Sequence, residues 1–160
     1  MDVRSRSRIS TDVVVAGGGA AGVAAAVTAA RAGLRVTLVE RYGFCGGGAV
    51  AGLSGTVCGL YEATDNRQAR PRQVVFGFAD EFVRALDVRG GLTAPLPYGK
   101  TWTRVHDPLV WREAADALLR DAGVEVIYHA TVTGVLSEGE ERIEGVALWT
   151  KQGPLEVRAG

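Results

Sequence analysis

An α/β fold, with a parallel sheet flanked by helices on both faces and a small antiparallel β segment near the C-terminus, is predicted by three features of this 160-residue chain. A continuous β-branched run, Val13-Val14-Val15, stops at Gly17-Gly18-Gly19. An alanine-rich stretch follows, and a second apolar run from Val36 to Val39 closes on Glu40. Further on, short apolar segments set apart by glycine turns replace helical spacing.

Each element follows from its residues. Met1 to Ser10 carries Arg4, Arg6 and Arg8 and no long apolar run, which predicts a solvated, disordered arm ahead of a single domain over residues 11–160. Asp12 to Ala16 has the composition of a central parallel strand buried on both faces. Ala20 to Ala30 is a strong helix former whose small side chains let it approach a sheet closely, and Gly33 stops it. Arg35 to Glu40 is the next strand, and so tight a strand-helix-strand unit is a right-handed parallel crossover. Between Val74 and Leu86, apolar residues at Val75, Phe78, Ala79, Phe82, Val83 and Leu86 predict a helix that ends at Gly90-Gly91. Leu92 to His106 contains Pro95 and Pro97 and has no helical period, so a loop or short strand with an exposed tip is expected. Asp107 caps a helix whose first position is Pro108, continued by Leu109, Trp111, Ala115, Leu118 and Leu119 and ended by Gly123. Val124–Tyr128, Thr131–Leu136, Ile143–Trp149 and Leu155–Val157 then read as short strands, the last three joined by turns at Gly139-Glu140-Glu141 and Gln152-Gly153-Pro154.

Composition narrows the function classes. Basic and acidic side chains balance at 18 each, so no excess positive charge favours nucleic acid or an anionic membrane surface. Glycines interrupt the apolar stretch near the N-terminus well short of the roughly 18 residues of a membrane span. Cys45 and Cys58 are too few for a disulfide framework and form no CxxC pair, so no metal site is predicted. A soluble, cytoplasmic protein with a small-molecule ligand is the expectation.

The chemistry lies in the turn after the first strand. Gly17, Gly19 and Gly22 occupy the three positions of a dinucleotide-binding fingerprint, with Gly18, Ala20 and Ala21 completing the cradle. Gly17 permits the tight turn, Gly19 leaves out a Cβ that would strike a pyrophosphate, and Gly22 lets the helix close on the strands. Unpaired amides at the helix start would face the phosphates. Glu40 is placed to accept hydrogen bonds from an adenosine ribose, and its charge disfavours a 2′-phosphate, which Arg41 would offset only in part. This is a Rossmann-like unit, and the fingerprint by itself admits FAD or NAD.

Beyond Glu40 the chain resembles the FAD-dependent oxidoreductase family, with a glutathione-reductase-like FAD fold. The resemblance rests on Glu40-Arg41 followed by the small-residue loop Tyr42-Gly43-Phe44-Cys45-Gly46-Gly47-Gly48-Ala49 and by Ala51 to Tyr61. Looser similarity continues through Phe76 to Phe82, the Asp107-Pro108 helix start and Gly123 to Val126. It implies FAD as cofactor and hydride transfer to or from a small organic substrate. It also implies contacts from Gly46, Gly47 and Gly48 to the pyrophosphate or ribityl chain, and from the backbone near Val132 to the adenine. The family continues into an acidic glycine motif and a substrate domain, so an N-terminal portion, completed by further sequence or a second chain, is the expectation. A noncatalytic nucleotide-binding module and an NAD-dependent dehydrogenase domain are the alternatives.

No residue stands out as a catalytic acid or base. Cys45 reads as a small buried residue rather than a redox thiol or a flavin attachment point, and His106 as exposed loop beside a capping aspartate. His129 lies between strands without an evident partner, and Tyr61 with Arg67, Arg70 and Arg72 reads as a solvated basic loop rather than a wall that recognises an anionic substrate.

Overall fold

The computed structural model describes residues 7–66, 68–139 and 141–160. Two compact units form: Met1–Cys45 with Asp116–Gly160, and Gly46–Ala115.

The first unit holds the predicted crossover. Strand β1 (Ser7–Thr11) leads into β2 (Val13–Ala16), helix α1 (Ala20–Arg31) and β3 (Val36–Val39). β2 and β3 pair in parallel, Val13 opposite Val36 and Ala16 opposite Val39. Helix α1 buries Val23, Ala26 and Val27 and ends with Gly33 at φ +91°, a conformation suited to glycine. At the start of the crossover the Asp12 carboxylate accepts bonds from the Arg35 amide (2.7 Å) and guanidinium, and the buried Thr11 hydroxyl donates to the Arg35 carbonyl at 2.7 Å.

The second unit contains the two-residue β4 (Thr56–Val57), α2 (Phe78–Asp87), β5 (Leu96–Tyr98), β6 (Thr101–Val105) and the first residues of α3 (Pro108–Asp121). β6 pairs antiparallel with β4 and with β5. The stretch from Leu92 to His106 is thus largely a hairpin, with Pro97 on the edge strand β5, where a missing N–H is tolerated. Helix α2 starts later than its apolar spacing suggests. Gly77 sits at φ +71°, and the Val74 amide bonds to the Leu60 carbonyl, which keeps this stretch extended and leaves Phe76 exposed. The Asp107 carboxylate accepts the Leu109 and Val110 amides at 2.7 and 3.3 Å, the cap read from the sequence.

His106 differs from expectation. It is only 5% exposed, its ring packs on Trp111 with centroids 4.7 Å apart, and Trp111 in turn meets Phe82 at 4.7 Å. Neither ring nitrogen has a hydrogen-bond partner among the described residues. Pairing between Leu92 and His106, and the cap that begins at the next residue, turn the imidazole inward.

Back in the first unit, α3 ends before Gly123, and β7 (Glu125–Ile127), β8 (Thr131–Glu138), β9 (Arg142–Thr150) and β10 (Gly153–Ala159) complete the chain. β7 extends the parallel sheet in the order β2-β3-β7. β8, β9 and β10 form the antiparallel segment, and β1 adds to β10 in parallel, Ser7 opposite Leu155. From Ser7 onward, therefore, the expected disordered arm is a paired strand; its first six residues lie outside the described ones. The exposed arginine had disguised a period of two, in which Ile9 and Thr11 face inward. Val39, Ala130, Val146, Leu148 and Val157 form the core between the sheets, with Ile9, Val14, Ile127 and Leu155 packed against it.

One strand departs from its composition. Val13, Val14 and Val15 read as a central strand, yet they are only half-buried, whereas every residue of β3 is buried. Among the described residues β2 pairs on one side only. No helix of the described residues is long and apolar enough to cross a membrane.

Candidate functional site

The carboxyl ends of β2 and β3 bring the glycine turn and Glu40 together. Gly17 adopts φ +105°, and its amide bonds to the Val39 carbonyl at 2.8 Å, which ties the turn to the end of β3. Gly18 is buried. A Cβ there would lie 2.5 Å from the Cys45 sulfur and 3.2 Å from the Glu40 carboxylate, so this position needs glycine for a reason the fingerprint does not contain. A Cβ on Gly22 would stand 1.9 Å from the Gly17 carbonyl oxygen. Gly22 is thus required by contact between helix and turn.

Helix α1 begins at Ala20 after an extended Gly19, with no side-chain cap and no acidic residue in its first turn. Ala20 and Ala21 are exposed. Their amides and that of Gly22 precede the first amide that can bond within the helix, Val23 to Gly19 at 2.9 Å. With the helix dipole behind them, these groups suit an anion.

Glu40 is 7% exposed and is held from both sides. One carboxylate oxygen accepts the Gly18 amide at 2.7 Å, the other the Tyr42 amide at 2.8 Å. A carboxylate has about four acceptor positions, so acceptor capacity remains for hydroxyls. Arg41 is exposed, its guanidinium 4.7 Å from the Tyr42 ring centre and bonded to the Tyr42 hydroxyl at 3.0 Å. The Ala130 amide donates to the Glu40 carbonyl and the His129 amide to that of Tyr42, both at 3.1 Å. This places the start of β8, and Val132 within it, alongside the Glu40 segment. His129 accepts a positive φ of +55° there, and its ring fills the space a side chain on Gly43 would need.

Gly46, Gly47 and Gly48 belong to the second unit. Gly46 is buried at φ +137°, and a Cβ on it would meet Val50 at 2.3 Å, so local packing already requires this glycine. Gly47 opens a 3₁₀ turn to Ala49, while Gly48 is exposed, with open space where its Cβ would be. Of the basic loop, Arg72 is engaged by Glu62 at 2.5 Å, and Arg67 lies outside the described residues.

Cys45 is fully buried, 3.7 Å from the Tyr128 hydroxyl, which donates to Asp116 at 2.5 Å. Burial pushes the thiol up to about 11, partly opposed by the Tyr128 contact and reinforced by the Asp116 and Glu40 charges. The neutral thiol is the nonreactive form. An acid whose folded value is raised stabilises the fold below its unfolded value, and that stability is lost as pH rises through the folded value. Stability should therefore fall by about 2–3 kcal/mol between pH ~9 and ~11. Denaturant midpoints across that range should decline steeply in the unaltered protein and much less in Cys45→Ala. The signal that would have marked Cys45 as structural is the glycine it opposes, which no sequence spacing shows.

A parallel sheet, an uncapped helix start and a terminal carboxylate after the neighbouring strand define a Rossmann-like fold, and solved structures bear the fold out. The Thermovibrio ammonificans THI4 structure superposes with TM-score 0.60 at 21% identity, covering 94% of this chain and 55% of that one. Adenylylsulfate reductase of Archaeoglobus fulgidus gives TM-score 0.68 at 19% identity, covering 96% and 30%. In sequence, a thiamine thiazole synthase of Metallosphaera sedula is 32% identical over 141 residues, 87% of this chain and 45% of that protein. Residues 12–160 match the FAD dependent oxidoreductase family, and the chain belongs to it. FAD is the cofactor this membership indicates. The chain spans about half the length, or less, of these relatives.

Proposed function

We propose that this chain is the ADP-binding portion of a flavin-dependent oxidoreductase that transfers hydride to or from a small organic substrate. The observation that supports it most directly is the Glu40 carboxylate, buried and bonded to the Gly18 amide, beside a helix start whose amides no side chain caps. In this reading the amides of Ala20, Ala21 and Gly22 hold the pyrophosphate across the Gly17-Gly18-Gly19 turn, and Glu40 takes the ribose hydroxyls. Arg41 and the backbone at Val132 flank the adenine. When bound, FAD supplies the hydride-accepting ring, and these residues bind and orient it.

The half-buried β2 supports a second element of the proposal. Its valines have the composition of a strand with neighbours on both sides. A parallel strand from sequence outside these residues, or from another chain, would complete the sheet along that edge.

Titration of the purified chain with FAD tests the reading. Flavin fluorescence should change, with measurable heat of binding; constant fluorescence together with no heat would overturn it. A purely nucleotide-binding role predicts equal affinity for ADP and FAD.

A further inference from the structure

The β5–β6 hairpin and the loop from Thr64 to Ala69 line a cleft of about 600 Å³ within the second unit. That size lies in the range of small-molecule sites, roughly 300–1,000 Å³. Pro97 and Trp102, directly opposite each other on β5 and β6, supply apolar lining together with Ala69. Asp65 and Lys100 supply one charge of each sign, joined in an ion pair of 2.6 Å.

The main chain beneath that pair is fixed. Gly99, at φ +60°, and Lys100 form the two-residue hairpin turn, the Thr64 amide donates to the Lys100 carbonyl at 2.7 Å, and the Thr101 hydroxyl donates to the Tyr61 carbonyl at 3.0 Å. The charged side chains are not fixed in the same way. Asp65 is 84% and Lys100 73% exposed, and an ion pair so open to water is weak. It can therefore part while the bonds that shape the cleft stay in place.

The two charges restrict what can replace the pair. A ligand with one net charge would satisfy one of these side chains and leave the other without its partner. A ligand that carries an ammonium beside a carboxylate exchanges one internal pair for two charge-assisted contacts and leaves neither side chain unmatched. The apolar lining then receives the ligand's remaining substituent. Trp102 is only 9% exposed, too little of its ring for the flat stacking that would suit a sugar. We infer that this cleft binds a zwitterionic α-amino acid with a large apolar side chain, its ammonium on Asp65, its carboxylate on Lys100 and its side chain against Pro97, Trp102 and Ala69. All of these residues belong to the second unit, so the site holds whether or not the ADP-binding reading does.

Calorimetric titration of the full chain with four probes tests the site: L-leucine, 4-methylpentanoate, which lacks the ammonium, 3-methylbutylamine, which lacks the carboxylate, and glycine, which lacks the side chain. Leucine should bind about tenfold more tightly than each of the other three. In Asp65→Asn, leucine should weaken about tenfold while 4-methylpentanoate changes by less than about twofold, so that the two become equal. In Lys100→Gln, 3-methylbutylamine should become the equal of leucine in the same way. Each variant is scored by a ratio of two ligands, which a general loss of fold cannot imitate. Absence of heat with leucine would overturn the inference, as would glycine binding as tightly as leucine, an unchanged preference for leucine in either variant, or equal losses for all probes.

Discussion

Glu40→Ala is expected to cost about 3–5 kcal/mol of stability and to abolish measurable nucleotide binding. The carboxylate is buried and accepts two backbone amides, at 2.7 Å from Gly18 and 2.8 Å from Tyr42. Hydrogen bonds to a charged group contribute about 1.5–3 kcal/mol each, and truncation takes the partner from both donors. Set against a total of about 5–15 kcal/mol for a domain, this is a large fraction. Glu40→Gln keeps one acceptor oxygen and should lose about half as much stability while still weakening nucleotide binding. Denaturant unfolding and ADP titration of the two variants check the ordering. If Glu40→Ala left stability unchanged, the double anchor would be wrong, whatever its effect on ligand.

Gly22→Ala comes next in expected effect, and it sets two magnitudes against each other. Gly22 lies inside a helix, where alanine is intrinsically better by about 1 kcal/mol. The added Cβ, however, would stand 1.9 Å from the Gly17 carbonyl oxygen, a backbone atom that cannot rotate away. Helix and turn must separate by more than a methyl contact allows, and overpacking of this kind costs about 1–3 kcal/mol, occasionally more. The net expected result is destabilisation by about 2 kcal/mol, with ADP affinity reduced by about a hundredfold because the amides of α1 no longer converge with Glu40. Thermal unfolding and calorimetry measure the two parts. A variant more stable than the parent would mean that the turn accommodates the methyl and that propensity prevails.

Both predictions concern residues that could be singled out from the chain alone, and the reason is locality. The turn, helix and second strand lie within about thirty consecutive residues, and short-range steric rules relate glycine spacing to turn geometry without reference to the rest of the molecule. The Asp107 cap and the meander of short strands were legible for the same reason. What escaped was non-local. Ser7 to Thr11 pairs with β10, whose residues come nearly 150 positions later, so nothing near the arm announces a strand. His106 is buried by packing on Trp111, whereas its immediate neighbours, a charged strand and a capping aspartate, read as surface.

The sequence by itself determined the crossover, the helix start after the glycine turn, the place of Glu40 after the second strand and, through the loop after Arg41, the flavoprotein family. Only the tertiary structure decided why Gly18 must be glycine, that Glu40 anchors the turn as well as offering acceptors to a ligand, that β2 keeps one side unpaired, and that Tyr42 holds Arg41. Each of these depends on atoms brought together from distant positions or on the rotamer of a side chain. A linear pattern specifies which residues are available, and packing specifies which of their atoms meet.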